Sequence, residues 1–447
     1  MDKTVIIMLM MLYGAAQAQD TVRMTMRECM SYALEHSAEV RLQQADCRDA
    51  QIARREAIFR AFTPTVSGDA YAYSNFGRSI DPETNTYSTV TSFHNGYSLS
   101  AGITLFNGFQ AVNNMKITKI SEQMGLTRQQ QVEDRLCLSV MEAYCNVLYY
   151  TELCNAIRAQ VNTAEKAMQS AQRQYDLGQK SYSDVLHTKA ELADREYQLT
   201  ICNNHLNNAY ITLTDIMLYD NNQILEIDEG EPESMFGEIT FGNGGEAARA
   251  MQAVDRLPRV IIANGEYETA RIALKTAKWR LMPSLSLYGG WSSTYFTYPG
   301  KADYVPVPYW RQIADNGGEY VQLSLSIPIY DRFSRQSEIA RRRNELDRAE
   351  VRREQAQHEA DAEVRRALAD RDGAAEALRQ AEQHATLQQE LYTLNTRQFE
   401  QGLISAIEYQ TVADNHLNAT AEYLHARLSY FVKCEVVRYY AGLGMRR

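Results

Sequence analysis

The feature that most constrains this chain is that it states its plan twice. The stretch Phe62-Thr-Pro-Thr-Val-Ser67 returns as Leu281-Met-Pro-Ser-Leu-Ser286, and Tyr97-Ser-Leu-Ser-Ala-Gly-Ile-Thr-Leu-Phe106 returns as Val321-Gln-Leu-Ser-Leu-Ser-Ile-Pro-Ile-Tyr330. Farther on, Gln174-Tyr-Asp-Leu-Gly178 with Asp184 matches Gln398-Phe-Glu-Gln-Gly402 with Glu408, and the register holds without a gap from Tyr97 to Asp184. A duplicated supersecondary unit implies one architecture used in both halves. Between them, residues 220–245 are acidic and Gly-rich, with Asp228-Glu-Gly-Glu-Pro-Glu233 and Gly242-Asn-Gly-Gly245 as breakers. The expected division is a first repeat over 19–220, a linker over 221–245 and a second repeat over 246–447.

Each half carries two strand patterns. Tyr97, Leu99, Ala101, Ile103 and Leu105 alternate with Ser98, Ser100, Gly102 and Thr104, and Val321, Leu323, Leu325, Ile327 and Ile329 alternate with Gln322, Ser324 and Ser326. Leu285, Leu287, Gly289 and Trp291 alternate with Ser284, Ser286 and Ser292, and residues 65–74 follow the pattern more loosely. A period of two with one apolar and one wet face is the signature of a strand between two solvents, and each run suits the roughly 9 to 11 residues of a tilted membrane strand. Leu99, Ile103, Leu323 and Ile327 are the expected lipid-facing positions, with Ser98, Ser100, Gln322 and Ser324 on the water side. Tyr71, Tyr73, Phe76, Phe106, Trp291, Tyr295, Phe296, Tyr330 and Phe333 near strand ends read as interfacial girdles. Residues 75–96 and 297–320 read as polar loops between the strands. Four strands cannot close a barrel and an open edge cannot face hydrocarbon, so such a chain must oligomerise.

After each second strand comes a long stretch with a single glycine: residues 110–176 hold only Gly125, and residues 334–400 only Gly373. At 1.5 Å per residue each helix would reach roughly 100 Å. Val132, Leu136, Leu138, Val140, Met141, Tyr144, Val147 and Leu148 fall at three- and four-residue steps and form an apolar stripe, while Arg341-Arg-Arg-Asn-Glu-Leu-Asp-Arg348 reads as a solvated face.

The formal net charge of -10 argues against a nucleic-acid surface. Lys3, the apolar run Val5 to Leu12 and Ala16-Gln17-Ala18 read as an export signal over 1–18, with Gln19 as the first mature residue. The seven cysteines are odd in number, so at least one cannot pair within the chain. Cys137, Cys145 and Cys154 fall in a helical stretch, and their counterparts Asp361, Ala369 and Leu378 carry no sulfur, so they read as small buried hydrophobes. The eight histidines are scattered, and no HExxH, CxxC or GxSxG occurs, so no catalytic, cofactor or metal residue is nominated.

Two copies of a helix, strand, strand, long-helix, helix unit behind an export signal resemble the TolC family of outer-membrane efflux proteins. The carriers are Leu105-Phe-Asn-Gly-Phe109, the Pro64 and Pro283 strand starts, the Gly178 and Gly402 turns, and the external-loop stretch Asn75-Phe-Gly-Arg-Ser-Ile-Asp-Pro-Glu-Thr-Asn85. The resemblance implies a mainly α fold with a membrane β-barrel. A homotrimer would pool its two-stranded repeats into a 12-stranded barrel and its long helices into a periplasmic tunnel. It implies a non-enzymatic exit duct in the outer membrane of a Gram-negative bacterium, without cofactor, partnered by a periplasmic adaptor of the membrane-fusion type and an inner-membrane RND or ABC pump. The second half departs at Asp331-Arg332, where the first has Asn107-Gly108, which predicts a differently built turn there.

By the same resemblance, Leu177, Gly178, Gly402 and Leu403 are the adaptor-contacting tips, and Asp184 and Glu408 ring the entrance. The gate's aromatic is matched by Phe399 and its basic group is replaced by Ile404. Ser181-x-x-Asp184 and Ser405-x-x-Glu408 equally fit helix-start caps, and Gly178 and Gly402 equally fit helix stops. The rival to a duct is a periplasmic coiled-coil scaffold or adaptor, which accounts for the helices and leaves the amphipathic strands unexplained.

Overall fold

The computed structural model describes residues 21–80, 85–89, 91–219, 224–228, 244–301 and 304–442. The expected export signal, most of the inter-repeat linker and part of the first external loop lie outside the described residues. The internal contacts divide the chain into two units. One comprises residues 1–45, 127–261 and 354–447; the other comprises 46–126 and 262–353.

The second of these units holds a four-stranded antiparallel sheet. Its strands are β2 (Thr65–Asn75), β5 (Ser92–Asn107), β7 (Ser284–Thr297) and β8 (Gly318–Ser326), in the spatial order β2, β5, β7, β8. The sheet therefore joins both repeats, with β5 of the first hydrogen-bonded to β7 of the second. The intervening segments are not plain loops. A two-stranded hairpin of β3 (Arg78–Ile80) and β4 (Tyr87–Thr89) fills the first. A short helix, Tyr309–Asp315, fills the second, fixed by buried Gln312, whose amide bonds both the N–H and the carbonyl of Phe296.

The strand-to-helix turns correct the sequence expectation. Gly108 and Phe109 take φ values of 62° and 60°, and Arg332 and Phe333 take 58° and 60°, so the two repeats use the same left-handed pair. The reason that glycine is needed in only one copy is local. A Cβ on Gly108 would stand 2.3 Å from the Trp279 carbonyl oxygen, whereas the second copy accommodates the Arg332 side chain.

The other unit is a helical body whose core gathers around the predicted stripe. Within the helix Gln110–Asp176, Val140, Met141, Tyr144, Val147 and Leu148 are buried against Met30 and Ala33 of the helix Met26–His36, Leu213 and Met217 of the helix Tyr182–Met217, and Phe431 of the helix Ala406–Tyr440. Each such side chain contributes about 1.5–3 kcal/mol. Cys137 and Cys145 sit in this core as small hydrophobes. Cys154 does not: it forms a disulfide with Cys202, linking the long helix to the one that follows. A helical stretch and a sulfur-free counterpart, Leu378, pointed to Cys154 as a small buried hydrophobe and could not show which residue faces it from a separate helix.

A parallel pair, β1 (Thr21–Met24) with β6 (Ile224–Ile227), closes one side of the core. The strand Ile224–Ile227 lies inside the stretch read as pure connection, where four residues are too few for a visible alternation. The helix Ser334–Glu400 runs unbroken through Gly373, as its counterpart does through Gly125. Among the described residues no helix is long and apolar enough to cross a membrane.

A two-faced sheet and two capped helix turns

The register of the sheet sorts its side chains into two faces. Ile103 stands opposite Leu287, which stands opposite Leu323, and Leu99 stands opposite Trp291. Leu99, Leu287 and Leu323 are exposed on this face, Leu323 to 63%. Ile327 follows the last residue of β8 rather than lying within it, and is also exposed. The register shifts between Thr104 and Phe106, so Phe106 rather than Leu105 comes opposite Leu285. The bulge swaps which of the two continues the apolar row, a shift that a strict period of two cannot show.

The opposite face is wet. Ser100 pairs with Ser67 through a hydroxyl contact of 2.8 Å, Ser98 stands opposite Ser292, Thr104 opposite Ser286, and Ser286 opposite Ser324. Gln322 shares it, opposite Tyr288. Tyr71, Tyr73 and Phe296, expected in an interfacial girdle, belong to this wet face, with Tyr73 stacked on His94 at 4.8 Å. Their placement follows from the register, which puts them in line with Ser98 and Ser292; Tyr71 lies over Gly96, where a Cβ would come within 2.4 Å of the ring, and Tyr288 and Tyr320 cover Gly102 and Gly290 likewise. Ring-over-glycine pairs fill the space a missing side chain leaves and hold the register. Trp291 and Tyr295 remain on the apolar face.

In the helical unit, the two turns expected at the tips share one construction. Gly178 and Gly402 adopt φ of 73° and 77°. The Gln179 N–H donates to Gln174 O and the Gly178 N–H to Tyr175 O, repeated as Leu403 to Gln398 and Gly402 to Phe399. This paired pattern is the Schellman stop, in which glycine takes the left-handed residue and orphan carbonyls are satisfied. Leu177 and Leu403 project from these turns, 72% and 69% exposed.

Both acids expected at the entrance cap helices. The Ser181 backbone N–H donates to the Asp184 carboxylate at 3.1 Å while the Asp184 N–H donates to the Ser181 hydroxyl, and Ser405 with Glu408 repeats the box. The Ser181 hydroxyl and then its backbone N–H hold the Asp184 carboxyl below its usual range. Glu408 is exposed and Asp184 partly so.

Beside these caps lies a cluster that the sequence reading did not find. Phe399 is buried and stacks on Tyr409 at 4.7 Å, Tyr409 stacks in turn on Tyr392, and Tyr392 on His416. The Lys180 ammonium stands 4.9 Å from the Phe399 ring centre. Lys180 is the first-repeat counterpart of Ile404, so a basic group reaches the aromatic from the other repeat. Arg195, only 1% exposed, donates to Glu191 at 2.7 Å, to Gln198 at 3.0 Å and to Asp414. Burial raises the Glu191 carboxyl, against the pull of Arg195. Arg195 and Asp414 have the uncharged counterparts Ala419 and Ala190, so repetition gave no hint of them; the signal available was an arginine within an apolar helical stripe.

The family model of the outer membrane efflux protein matches residues 30–217 and 252–438, nearly all of both repeats. The chain belongs to the outer membrane efflux protein family. Among solved structures, this efflux protein is similar to CusC, with TM-score 0.77 at 16% identity, covering 94% of this chain and 92% of that one. It is similar to VceC of Vibrio cholerae, with TM-score 0.75 at 13% identity over 94% and 97% of the chains. It also matches the CmeC channel of Campylobacter jejuni, with TM-score 0.74 at 16% identity over 94% and 86%. At these identities the likeness is one of fold. No curated protein matches. The efflux protein is thus an outer-membrane exit duct with the TolC-type fold, from a family that works with an adaptor and an inner-membrane pump.

Proposed function

We propose that three copies of this efflux protein close one 12-stranded barrel and carry cargo outward without changing it chemically. The observation that carries this reading is the sheet itself: four strands with one apolar face, and with β2 and β8 each paired on one side only among the described residues. Unpaired backbone groups cannot stand in hydrocarbon, and β8 of one copy beside β2 of the next would satisfy both edges antiparallel. Leu99, Ile103, Leu323 and Ile327 then meet lipid, and Ser98, Ser100, Gln322 and Ser324 meet the aqueous bore.

The turns at Leu177-Gly178 and Gly402-Leu403 are the adaptor contacts in this reading. Two exposed leucines on hydrogen-bonded, glycine-stopped turns offer apolar anchors for a docking partner. Asp184 and Glu408 cap their helices and, in three copies around an aperture, also concentrate negative potential there. The periplasmic partner is an adaptor of the membrane-fusion type, and the motor is an RND or ABC pump of the inner membrane.

Planar bilayers test the entrance assignment. Asp184→Asn with Glu408→Gln should lower cation selectivity and weaken block by divalent cations. Unchanged selectivity and block with reduced thermal stability would leave these carboxylates as caps alone.

A further inference from the structure

The wet face of the sheet ends at a concentration of arginine. A cavity of about 600 Å³ is lined by Thr104 and Asn107 at the end of β5 and by residues of the helices Ala38–Phe62, Gln110–Asp176, Pro258–Trp279 and Ser334–Glu400. Thr104 belongs to the wet row with Ser286 and Ser324, so this cavity opens on the water side of the sheet. Its charged wall consists of Arg60, Arg280 and Arg342 against one carboxylate, Glu338. An adjoining cavity of about 1000 Å³ shares Arg280 and Glu338 and adds Arg332, Arg335 and Asp331. Across the two, five guanidiniums face two carboxylates, in a chain whose formal net charge is -10.

The carboxylates are already engaged. Glu338 accepts from Arg342 at 2.8 Å, Arg342 is held in turn by Glu345 at 2.8 Å, and Asp331 accepts from the backbone N–H of Arg335 at 3.1 Å, with the Arg335 guanidinium 3.5 Å away. Among the described residues Arg60 is held by Glu56 alone, through an exposed contact at 2.6 Å that leaves most of its five donors free. Arg280, exposed and common to both cavities, has no ion-pair partner among the described residues. In the same wall the buried hydroxyl of Thr269 has no hydrogen-bond partner among the described residues. Amides of Asn107, Gln110 and Asn114 add donors to a lining that mixes alanines and Ile117 with these polar groups and carries more guanidiniums than carboxylates.

We infer that this pair of cavities is a binding site for anionic solutes bearing carboxylate or phosphate groups, with Arg280 as its centre and Arg60 as a flanking donor. The planar guanidinium fork matches both groups bidentately. A cleft walled by charge of one sign raises the local concentration of its counter-ion. The inference rests on the duct reading, since it places the site on the bore side of the sheet and makes its occupant a solute in transit.

The probe is citrate, added to the purified full-length protein in planar bilayers of phosphatidylcholine. Citrate should block the current, and Arg60→Gln with Arg280→Gln should raise the half-blocking concentration by about tenfold, the lower end expected from a focused field. Arg280→Lys, which keeps the charge and loses the planar fork, should raise the half-blocking concentration by less than the double variant does. Arg271→Gln removes an exposed arginine outside both cavities and should leave block unchanged. Equal block in the double variant, or equal loss in Arg271→Gln, would overturn the site. Loss of block on adding phosphatidylglycerol to the unsubstituted protein would overturn the solute as occupant and give the site to lipid headgroups. If the unsubstituted protein passes no current, the duct reading fails. Equilibrium dialysis of radiolabelled citrate then decides the site alone: binding displaced by inorganic phosphate and lost in the double variant supports it, and no binding overturns it.

Discussion

Lys180 of the first repeat places its ammonium 4.9 Å from the ring centre of Phe399 in the second, beside both capped turns. A cation over an aromatic face contributes about 0.5–1 kcal/mol when exposed and more when water is excluded, and Phe399 is buried. The contact ties the end of one helical hairpin to the other, in addition to the Arg195–Asp414 ion pair between them. If these turns form the proposed entrance, Lys180→Gln should loosen it while leaving assembly intact. Single-channel recording checks this: the variant should open more often than the unsubstituted protein, and an unchanged open probability would remove Lys180 from the gate.

The two faces of β8 should respond differently to the same insult. Leu323→Arg puts a charge on the apolar row and should cost roughly 2 to 4 kcal/mol near the bilayer midplane, whereas Ser324→Arg on the wet row should change conductance and spare assembly. Trimer migration on unheated gels reads the first effect and bilayer current the second. Equal assembly in both variants would mean that the faces are assigned wrongly.

The equivalent left-handed turns should differ in tolerance. Gly108→Ala drives a Cβ toward the Trp279 carbonyl at 2.3 Å and adds a side chain at φ of 62°, so it should destabilise by about 2 kcal/mol or more. Arg332→Gly relieves a side chain held at φ of 58° and should be neutral or stabilising by up to about 1 kcal/mol. Thermal unfolding of the two variants in detergent compares them directly.

The Asp184 cap carries a pH signature. Its carboxyl is held below the ordinary value of 3.8 by the Ser181 hydroxyl and backbone N–H. A depressed folded-state value means that the contribution is fully present above the unfolded value and is lost as pH falls through the folded one. Asp184→Ala should thus lower stability by about 1 kcal/mol near neutrality. The gap to the unsubstituted protein should close as pH drops below about 4. A gap that persists undiminished at acid pH would show that the carboxylate charge is not what the cap uses.

Much of this molecule was legible because duplication and periodicity survive in sequence. The strands at Tyr97 and Val321, the unbroken helices after Phe109 and Phe333, and the paired boxes at Ser181 and Ser405 each rest on local patterns that need no partner to be seen. What escaped depends on residues far apart in the chain. The Cys154–Cys202 disulfide, the buried Arg195 with Asp414, and the Tyr71 ring over Gly96 are each a meeting of two elements whose facing is set by packing. The turn at Arg332 was misread for the opposite reason: glycine at Gly108 answers a steric demand from Trp279, not a demand of the turn alone. The candidate entrance was half legible, since Asp184 and Glu408 declare themselves as caps while Lys180 becomes visible only across the two repeats.

The central claim is that the open edges β2 and β8 are closed by copies of the same chain. Native mass spectrometry of the protein extracted from outer-membrane fractions, with the detergent stripped inside the instrument, tests it most directly. Closure by copies should appear as a species of three chains that stays together until strongly activated. A single chain, or recovery of the protein in detergent-free soluble fractions, would contradict it.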